Sequence, residues 1–233
     1  MNCLLVGDSH LGSLRQALNL ARKGADAARF EGIVVRAMGR GHLMRGTFFA
    51  DRGDHAEIID AEFRARVERV PPLDRAYDWI GISGPMNTAR VWRDTAFAEF
   101  KPYPLAGGVP VSVATLRAAV EADVRRSIEF VEVVARNARV FVIEAPWPFR
   151  AHRSVKANGA ETVQFVHRWY RKHVLDELAR LGIPVLEVGA DCVDADGFMN
   201  EAFHHEKATD RYHANAGFGK IVLERVLQRI AAA

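Results

Sequence analysis

Cysteine is scarce: Cys3 and Cys192 are the only two in 233 residues. They lie far apart, with Cys3 inside the first apolar run, so they read as reduced core thiols and exclude a disulfide framework. No apolar stretch approaches the ~18 residues of a membrane span, and the start of the chain shows neither a basic leader nor a long apolar core with a small-residue cleavage site. The expectation is a cytoplasmic protein with no membrane partner. Charge of one sign is also missing, since 32 Lys and Arg against 29 Asp and Glu leave a net +3 with the two signs interspersed. A pI near 9.0 then marks no nucleic-acid surface. Repeats, low-complexity tracts and dividing linkers are absent too, so residues 1–233 are expected to form a single domain. A hydrophobic content of 49% with 26% charged residues is enough for one sizeable core.

What is present is an alternation of short apolar runs with longer segments of helical period. Residues 2–6, 32–37, 77–83 (YDWIGIS), 139–145 (RVFVIEA) and 184–188 (PVLEV) read as five strands. Leu11, Leu14, Leu18 and Ala21 share one helical face; Leu116, Val120, Val124, Ile128, Val131 and Ala135 share another, with Ser112 as its N-cap. Val163, Val166, Tyr170, Val174, Leu178 and Leu181 repeat the pattern before Gly182 and Pro184, and Phe218, Val222, Val226 and Ile230 mark a closing helix. Val- and Ile-rich strands separated by helices need crossover connections, which place helices on both faces of a parallel sheet. The expected fold class is therefore α/β, a three-layer α/β/α sandwich on a parallel sheet of about five strands. Two stretches depart from the scheme. Residues 46–70 alternate around Asp51-Arg52-Gly53-Asp54 as a hairpin insertion would, while Ile59, Phe63, Val67 and Val70 also fit a helix. Residues 88–111 carry Trp92, Phe97, Phe100 and Tyr103 among charges, prolines and glycines, and read as an insertion that shapes a cleft.

In an open parallel sheet, ligands collect at the carboxyl ends of the strands. Ser9, in Gly7-Asp8-Ser9-His10 after the first strand, falls there, and a backbone N–H at the mouth of a helix suits a developing oxyanion. By position alone such a serine is more often a helix cap. The sequence Asp210-Arg211-Tyr212-His213, just before the closing helix, changes that balance. An Asp three residues ahead of a His can accept a hydrogen bond from the imidazole Nδ1–H, which leaves Nε2 free to take the proton of a serine hydroxyl.

Taken together, the GDSH string near one end and D-x-x-H near the other resemble the first and last sequence blocks of the SGNH/GDSL hydrolase superfamily, with His10 in place of the leucine of GDSL. The GDSH form is similar to that of SGNH domains associated with polysaccharide O-acylation. The resemblance covers nearly the whole chain and implies a flavodoxin-like fold with no bound nucleotide or other cofactor. It also implies Ser9 as nucleophile, His213 as general base and Asp210 as the carboxylate that orients it. The family's oxyanion hole combines the serine N–H, a glycine N–H after the second strand and an asparagine side chain after the third. In Met38-Gly39-Arg40-Gly41-His42 either Gly39 or Gly41 fits that place. In Gly84-Pro85-Met86-Asn87 the usual G-x-N-D pattern is displaced by one residue and lacks its Asp, which leaves Asn87 as the counterpart. His10 and Trp147, the latter in Glu144-Ala145-Pro146-Trp147-Pro148, are expected along the substrate cleft, although a Pro-rich turn equally suits Trp147 as a packing residue. The implied activity is hydrolysis of an acyl ester on a small molecule or carbohydrate, or transfer of the acyl group to a sugar hydroxyl by the same residues.

Two rival readings come from the residues themselves. His204, His205, Glu206, Asp210 and His213 have metal-ligating side chains, which would make a metal-dependent hydrolase, but they lack the helical spacing of H-E-x-x-H, so no metal site is expected. Asp191, Asp194 and Asp196 beside Gly197 fit no EF-hand and read as a solvated turn. A non-catalytic protein that binds a glycan or acyl group on the same scaffold is the other alternative.

Overall fold

The computed structural model describes residues 1–207 and 209–232. In chain order its first half runs β1 (Cys3–Asp8), α1 (Leu11–Ala21), β2 (Ile33–Gly39), β3 (Phe49–Asp51), β4 (Ala56–Ile58), α2 (Ala61–Arg64), β5 (Arg69–Val70), β6 (Trp79–Ser83) and α3 (Ala89–Trp92). The second half runs β7 (Phe100–Pro102), β8 (Val109–Val111), α4 (Val113–Ala135), β9 (Val140–Ile143), α5 (Arg153–Asn158), α6 (Ala160–Arg180), β10 (Val185–Leu186) and α7 (Ala216–Ala231).

Five strands form the central sheet in the order β10-β9-β6-β1-β2, and every neighbouring pair is parallel. Successive side chains of a strand point to opposite faces, and this sorts the core into two halves. Leu4 and Val6 of β1, Ile80 and Ile82 of β6, and Val140 and Val142 of β9 pack with Val120, Val124, Tyr170 and Val174 from α4 and α6. Cys3, Leu5, Phe141 and Ile143 face the other way, against Leu14 and Leu18 of α1 and Phe218 and Val222 of α7. Three layers result, as the alternation of strands and helices predicts. Capping agrees with local sequence: the Ser112 hydroxyl accepts the Thr115 N–H at 3.1 Å at the start of α4, and Asn215 does the same for Phe218 at 3.2 Å in α7.

Residues 46–70 contain a short hairpin and a single helical turn, and of Ile59, Phe63, Val67 and Val70 only Phe63 lies in the helix. β3 and β4 pair antiparallel as a hairpin, one turn of helix α2 follows with the Asp60 carboxylate capping the Phe63 N–H at 3.1 Å, and β5 then adds to β4. Phe48 and Phe63 from this unit are buried, and Phe48 meets Phe130 of α4 with ring centroids 5.2 Å apart. Residues 88–111 become α3, a 3-10 turn and the short parallel pair β7 and β8. β10 is shorter than PVLEV predicts. It stops at Leu186 because the Val188 N–H turns aside to the buried Glu144 carboxylate at 2.6 Å.

From β1 the chain crosses to β2 on one side and then returns past β1 to β6 on the other. That reversal opens a crevice at the carboxyl ends of β1 and β6. The two strands draw close there because Gly7 has no side chain. Its φ is +147°, and a Cβ on it would stand 1.9 Å from the Ser83 carbonyl oxygen. Among the described residues no helix is long and apolar enough to cross a membrane.

Candidate active site

Ser9 is the first residue past β1, at the crevice. Its hydroxyl does not cap α1; it lies 3.0 Å from Nε2 of His213, a residue brought from the loop before α7. The same imidazole, through Nδ1–H, donates to Asp210 Oδ2 at 2.9 Å, which leaves Nε2 as the acceptor for the Ser9 O–H. The other Asp210 oxygen accepts the backbone N–H groups of Tyr212 and His213 at 3.1 and 3.0 Å. Burial alone would raise the Asp210 carboxyl, but the hydrogen bonds and charge of His213, with the Tyr212 N–H, outweigh it and hold the group down at about 2. The carboxylate is thus ionised wherever the imidazole needs a partner.

Under Ser9 lies a buried polar layer. Asp8 Oδ1 accepts the Ser83 hydroxyl at 2.8 Å and the His10 N–H at 3.1 Å, while Oδ2 accepts Asn87 Nδ2–H at 2.7 Å. Burial pushes the Asp8 carboxyl up, and the adjacent His10 ring, the Ser83 bond, Arg90 and Asn87 together bring it below its ordinary value. Asn87 is 1% exposed, and its Oδ1 accepts the Tyr212 hydroxyl at 2.9 Å. Burial keeps the Tyr212 phenol protonated, raising it against the opposing pull of the Asn87 bond and two arginines. Asn87 therefore has one amide hydrogen committed to Asp8 and one in reserve.

The two glycines named after β2 part company. Gly41 lines the pocket of about 790 Å³ onto which Ser9 and His213 open, and a Cβ on it would stand 2.8 Å from both Asn87 Nδ2 and Asp8 Oδ2. Gly39 ends β2 and abuts Phe63 and Glu62 of α2, away from that pocket.

Two cleft expectations are corrected. His10 is 4% exposed and sits beneath the site, its ring edge-on to Tyr212 at 4.6 Å and 5.2 Å from His213, with no well-formed hydrogen bond to either ring nitrogen. Burial pushes its imidazole down to about 4, against the pull of Asp8, so it is a neutral ring. Trp147 does not line the pocket either. Its indole donates to Glu144 at 2.9 Å and its ring packs on His167 at 4.8 Å, because Glu144 gathers the whole Pro-rich turn around one buried carboxylate that also accepts Arg171 Nε–H at 2.7 Å. The start of the 88–111 segment does reach the pocket, but through Arg90, Arg93, Asp94 and Thr95; of its aromatic residues, Trp92 is buried and Tyr103 is 66% exposed elsewhere.

Among the described residues no group of three metal-ligating side chains converges. Glu206 accepts the Gln16 amide at 3.0 Å, Asp210 and His213 are engaged with each other, and Asp194 and Asp196 both receive Arg150. Sequence reading missed Tyr212, which was in view only as filler between Asp210 and His213, and the arginines of the pocket wall. Arg93 and Arg153 stand in the segments that follow β6 and β9, past α3 and at the start of α5, and that placement beyond the carboxyl ends of central strands was the available signal.

No protein-family model and no curated protein matches the chain. Solved structures do. A protein assigned as an acylhydrolase from Bacteroides fragilis aligns over 98% of this chain and 85% of its own, at 13% identity and a TM-score of 0.51. A GDSL-like lipase from Bacteroides thetaiotaomicron aligns over 98% and 86%, at 11% identity and a TM-score of 0.50. The chain has the SGNH/GDSL hydrolase fold. A family two carbohydrate esterase from Clostridium thermocellum shares it over 98% of this chain and 62% of its own, at 12% identity and a TM-score of 0.50. In this SGNH fold Ser9 and Gly41 line the crevice between β1 and β6, Asn87 is buried beside Gly41, and the loop before α7 brings Asp210 and His213 to Ser9.

Proposed function

We propose that the chain is a serine-dependent ester hydrolase that acts on an acylated carbohydrate. The observation that carries this reading is the continuous line of hydrogen bonds from Ser9 Oγ through His213 to Asp210, at 3.0 and 2.9 Å. Ser9 Oγ attacks the acyl carbonyl carbon as His213 Nε2 takes its proton; the tetrahedral intermediate collapses, and the same proton goes to the leaving alkoxide, releasing the alcohol. Water, deprotonated by His213, then attacks the acyl-serine, and the carboxylic acid leaves as Ser9 regains its proton. Asp210 keeps the imidazole in the required tautomer and stabilises its charged form. The oxyanion is received by the N–H groups of Ser9 and Gly41 and by the second amide hydrogen of Asn87, which Asp8 and Tyr212 hold in place. A carbohydrate as the alcohol is supported by the hydrogen-bonding side chains of the pocket, among them Arg93, Thr95, Arg153 and Ser154, and by the shared fold with a carbohydrate esterase.

The test is intact mass after treatment with an organophosphonate serine probe, followed by peptide mapping. A single adduct on Ser9, lost in His213→Ala, is expected. An unmodified Ser9, or chelator-sensitive ester turnover that survives Ser9→Ala, overturns the reading.

A further inference from the structure

The pocket beside Ser9 is more basic than its own ion pairs can absorb. Arg45 and Arg90 both pair with the buried Asp123 carboxylate, which Arg90 meets at 2.8 Å, and Arg90 also donates to Tyr170 at 3.0 Å. These two are structural, tying α3 and the loop after β2 to α4 and α6. Arg40, Arg93 and Arg153 line the same pocket, and among the described residues none of their guanidinium groups forms an ion pair, although Glu62 accepts the Arg40 backbone N–H at 3.4 Å. The one acid on the wall, Asp94, has an oxygen occupied by the Ala96 N–H at 2.9 Å. Three uncompensated guanidinium groups thus face one carboxylate, and the aliphatic side chains of the wall are only Ala89 and Ala157.

The cations are also positioned. Arg93 lies over the Tyr212 ring at 4.5 Å, and Tyr212 adjoins His213, so this guanidinium is held within the site by a ring already fixed on Asn87. A neighbouring depression of about 560 Å³ shares Arg93, Arg153 and Tyr212 with the pocket and adds Lys207 and Arg211 against one carboxylate, Asp210, which is already engaged with His213, so the positive wall extends outward. The buried imidazole of His152 between these groups registers the field, since burial and the charges of Arg93, Arg153 and Arg211 push it down to about 4. On the opposite side of Ser9, a depression of about 490 Å³ has Arg15 balanced by Glu206 among Gly12, Gln16 and Asn19. The excess of positive charge is therefore confined to one side of the nucleophile.

Guanidinium groups match carboxylate and phosphate oxygens through paired N–H donors, and the energy of such contacts rises where water is partly excluded. We infer that the substrate is an O-acylated sugar that carries a carboxylate or a phosphate, bound with its ester at Ser9 and its anionic group on Arg93 and Arg153. This inference rests on the esterase reading and narrows its substrate class.

Binding separates the two questions, because it needs no turnover. The Ser9→Ala chain is titrated calorimetrically with three O-acetyl methyl glycosides that differ only at C6: that of glucuronic acid as its free carboxylate, that of glucose 6-phosphate and that of glucose, which is neutral. At least one anionic ester is expected to bind about tenfold or more tighter than the neutral one, and whichever does so identifies carboxylate or phosphate as the recognised group. Arg153 is exposed, so Arg153→Gln and Arg153→Glu leave the fold alone, and they should shrink and then reverse the preference. Equal or undetectable binding of all three esters, or a preference untouched by both Arg153 variants, overturns the inference. Hydrolysis of p-nitrophenyl acetate by the unmodified chain tests the esterase reading separately. Its failure with the affinity ranking intact would leave an anion-binding pocket without that chemistry.

Discussion

Tyr212→Phe isolates one hydrogen bond in the polar layer under the nucleophile. The substitution removes the hydroxyl that donates to Asn87 Oδ1 at 2.9 Å and keeps the ring on which Arg93 and His10 pack. Asn87 is 1% exposed, so water does not readily replace the lost donor, and a buried acceptor left unpaired costs about 1–3 kcal/mol. For a domain of this size that corresponds to a fall of roughly 2–12 °C in Tm. Asn87 remains tied to Asp8 through Nδ2, so its amide loosens without leaving. Turnover of p-nitrophenyl acetate should then fall about 2- to 10-fold in kcat with little change in KM, well short of the ~10²-fold loss expected when an oxyanion donor is deleted outright by Asn87→Ala. Thermal unfolding and steady-state kinetics on the three proteins decide it. An unchanged Tm and kcat would show that the Tyr212 hydroxyl positions nothing. A kcat loss as large as that of Asn87→Ala with no change in Tm would place the phenol on the substrate itself.

Asp210→Asn should lower kcat on the order of 10⁴-fold, because the imidazole loses the acceptor that sets its tautomer, with substrate binding retained. The same carboxyl is depressed from 3.8 to about 2, so its contribution to folding is present above the ordinary carboxylate range and is lost as pH falls through that interval; the stability gap between wild type and Asp210→Asn should close there, as followed by thermal unfolding against pH. A constant gap would mean that the carboxylate is not held by the folded state. Gly41→Ala puts a methyl group 2.8 Å from Asn87 Nδ2 and Asp8 Oδ2, and esterase kinetics should show at least about a tenfold loss in kcat, while Gly39→Ala should register mainly as destabilisation against Phe63 in thermal unfolding. Gly7→Ala should yield little soluble folded protein, since its Cβ would fall 1.9 Å from the Ser83 carbonyl where β1 meets β6; normal yield and Tm would contradict that close approach.

The sequence alone was enough for whatever depends on neighbours along the chain. Short apolar runs marked all five central strands, because burial on both faces of a parallel sheet leaves few polar choices. Asp210 and His213 were legible as a pair because three residues of separation suffice for one turn to bring carboxylate and imidazole to 2.9 Å. The GDSH string carried its glycine for a reason that is partly local, a φ of +147°, and partly distant, the backbone of β6. Residues 46–70 resisted a single reading because hairpin and helix occur there in succession, each too short to establish its own period.

Only the tertiary structure decided which distant residues share a space. Ser9 and His213 are 204 positions apart and meet because α7 packs on α1 and so brings the loop before it to the end of β1; Tyr212 and Asn87 are 125 apart and meet because strand order also sets β6 beside β1. That Gly41 lines the pocket and Gly39 does not follows from the route of the backbone after β2, where two residues separate the packing side of α2 from the pocket. His10 and Trp147 were misplaced because residue type does not say which way a ring turns: burial drew His10 under Tyr212, and the Glu144 carboxylate drew Trp147 aside. The basic wall was invisible in a net charge of +3, since composition sums charges that the fold separates, gathering Arg40, Arg93 and Arg153 around Ser9 while their counter-charges lie elsewhere.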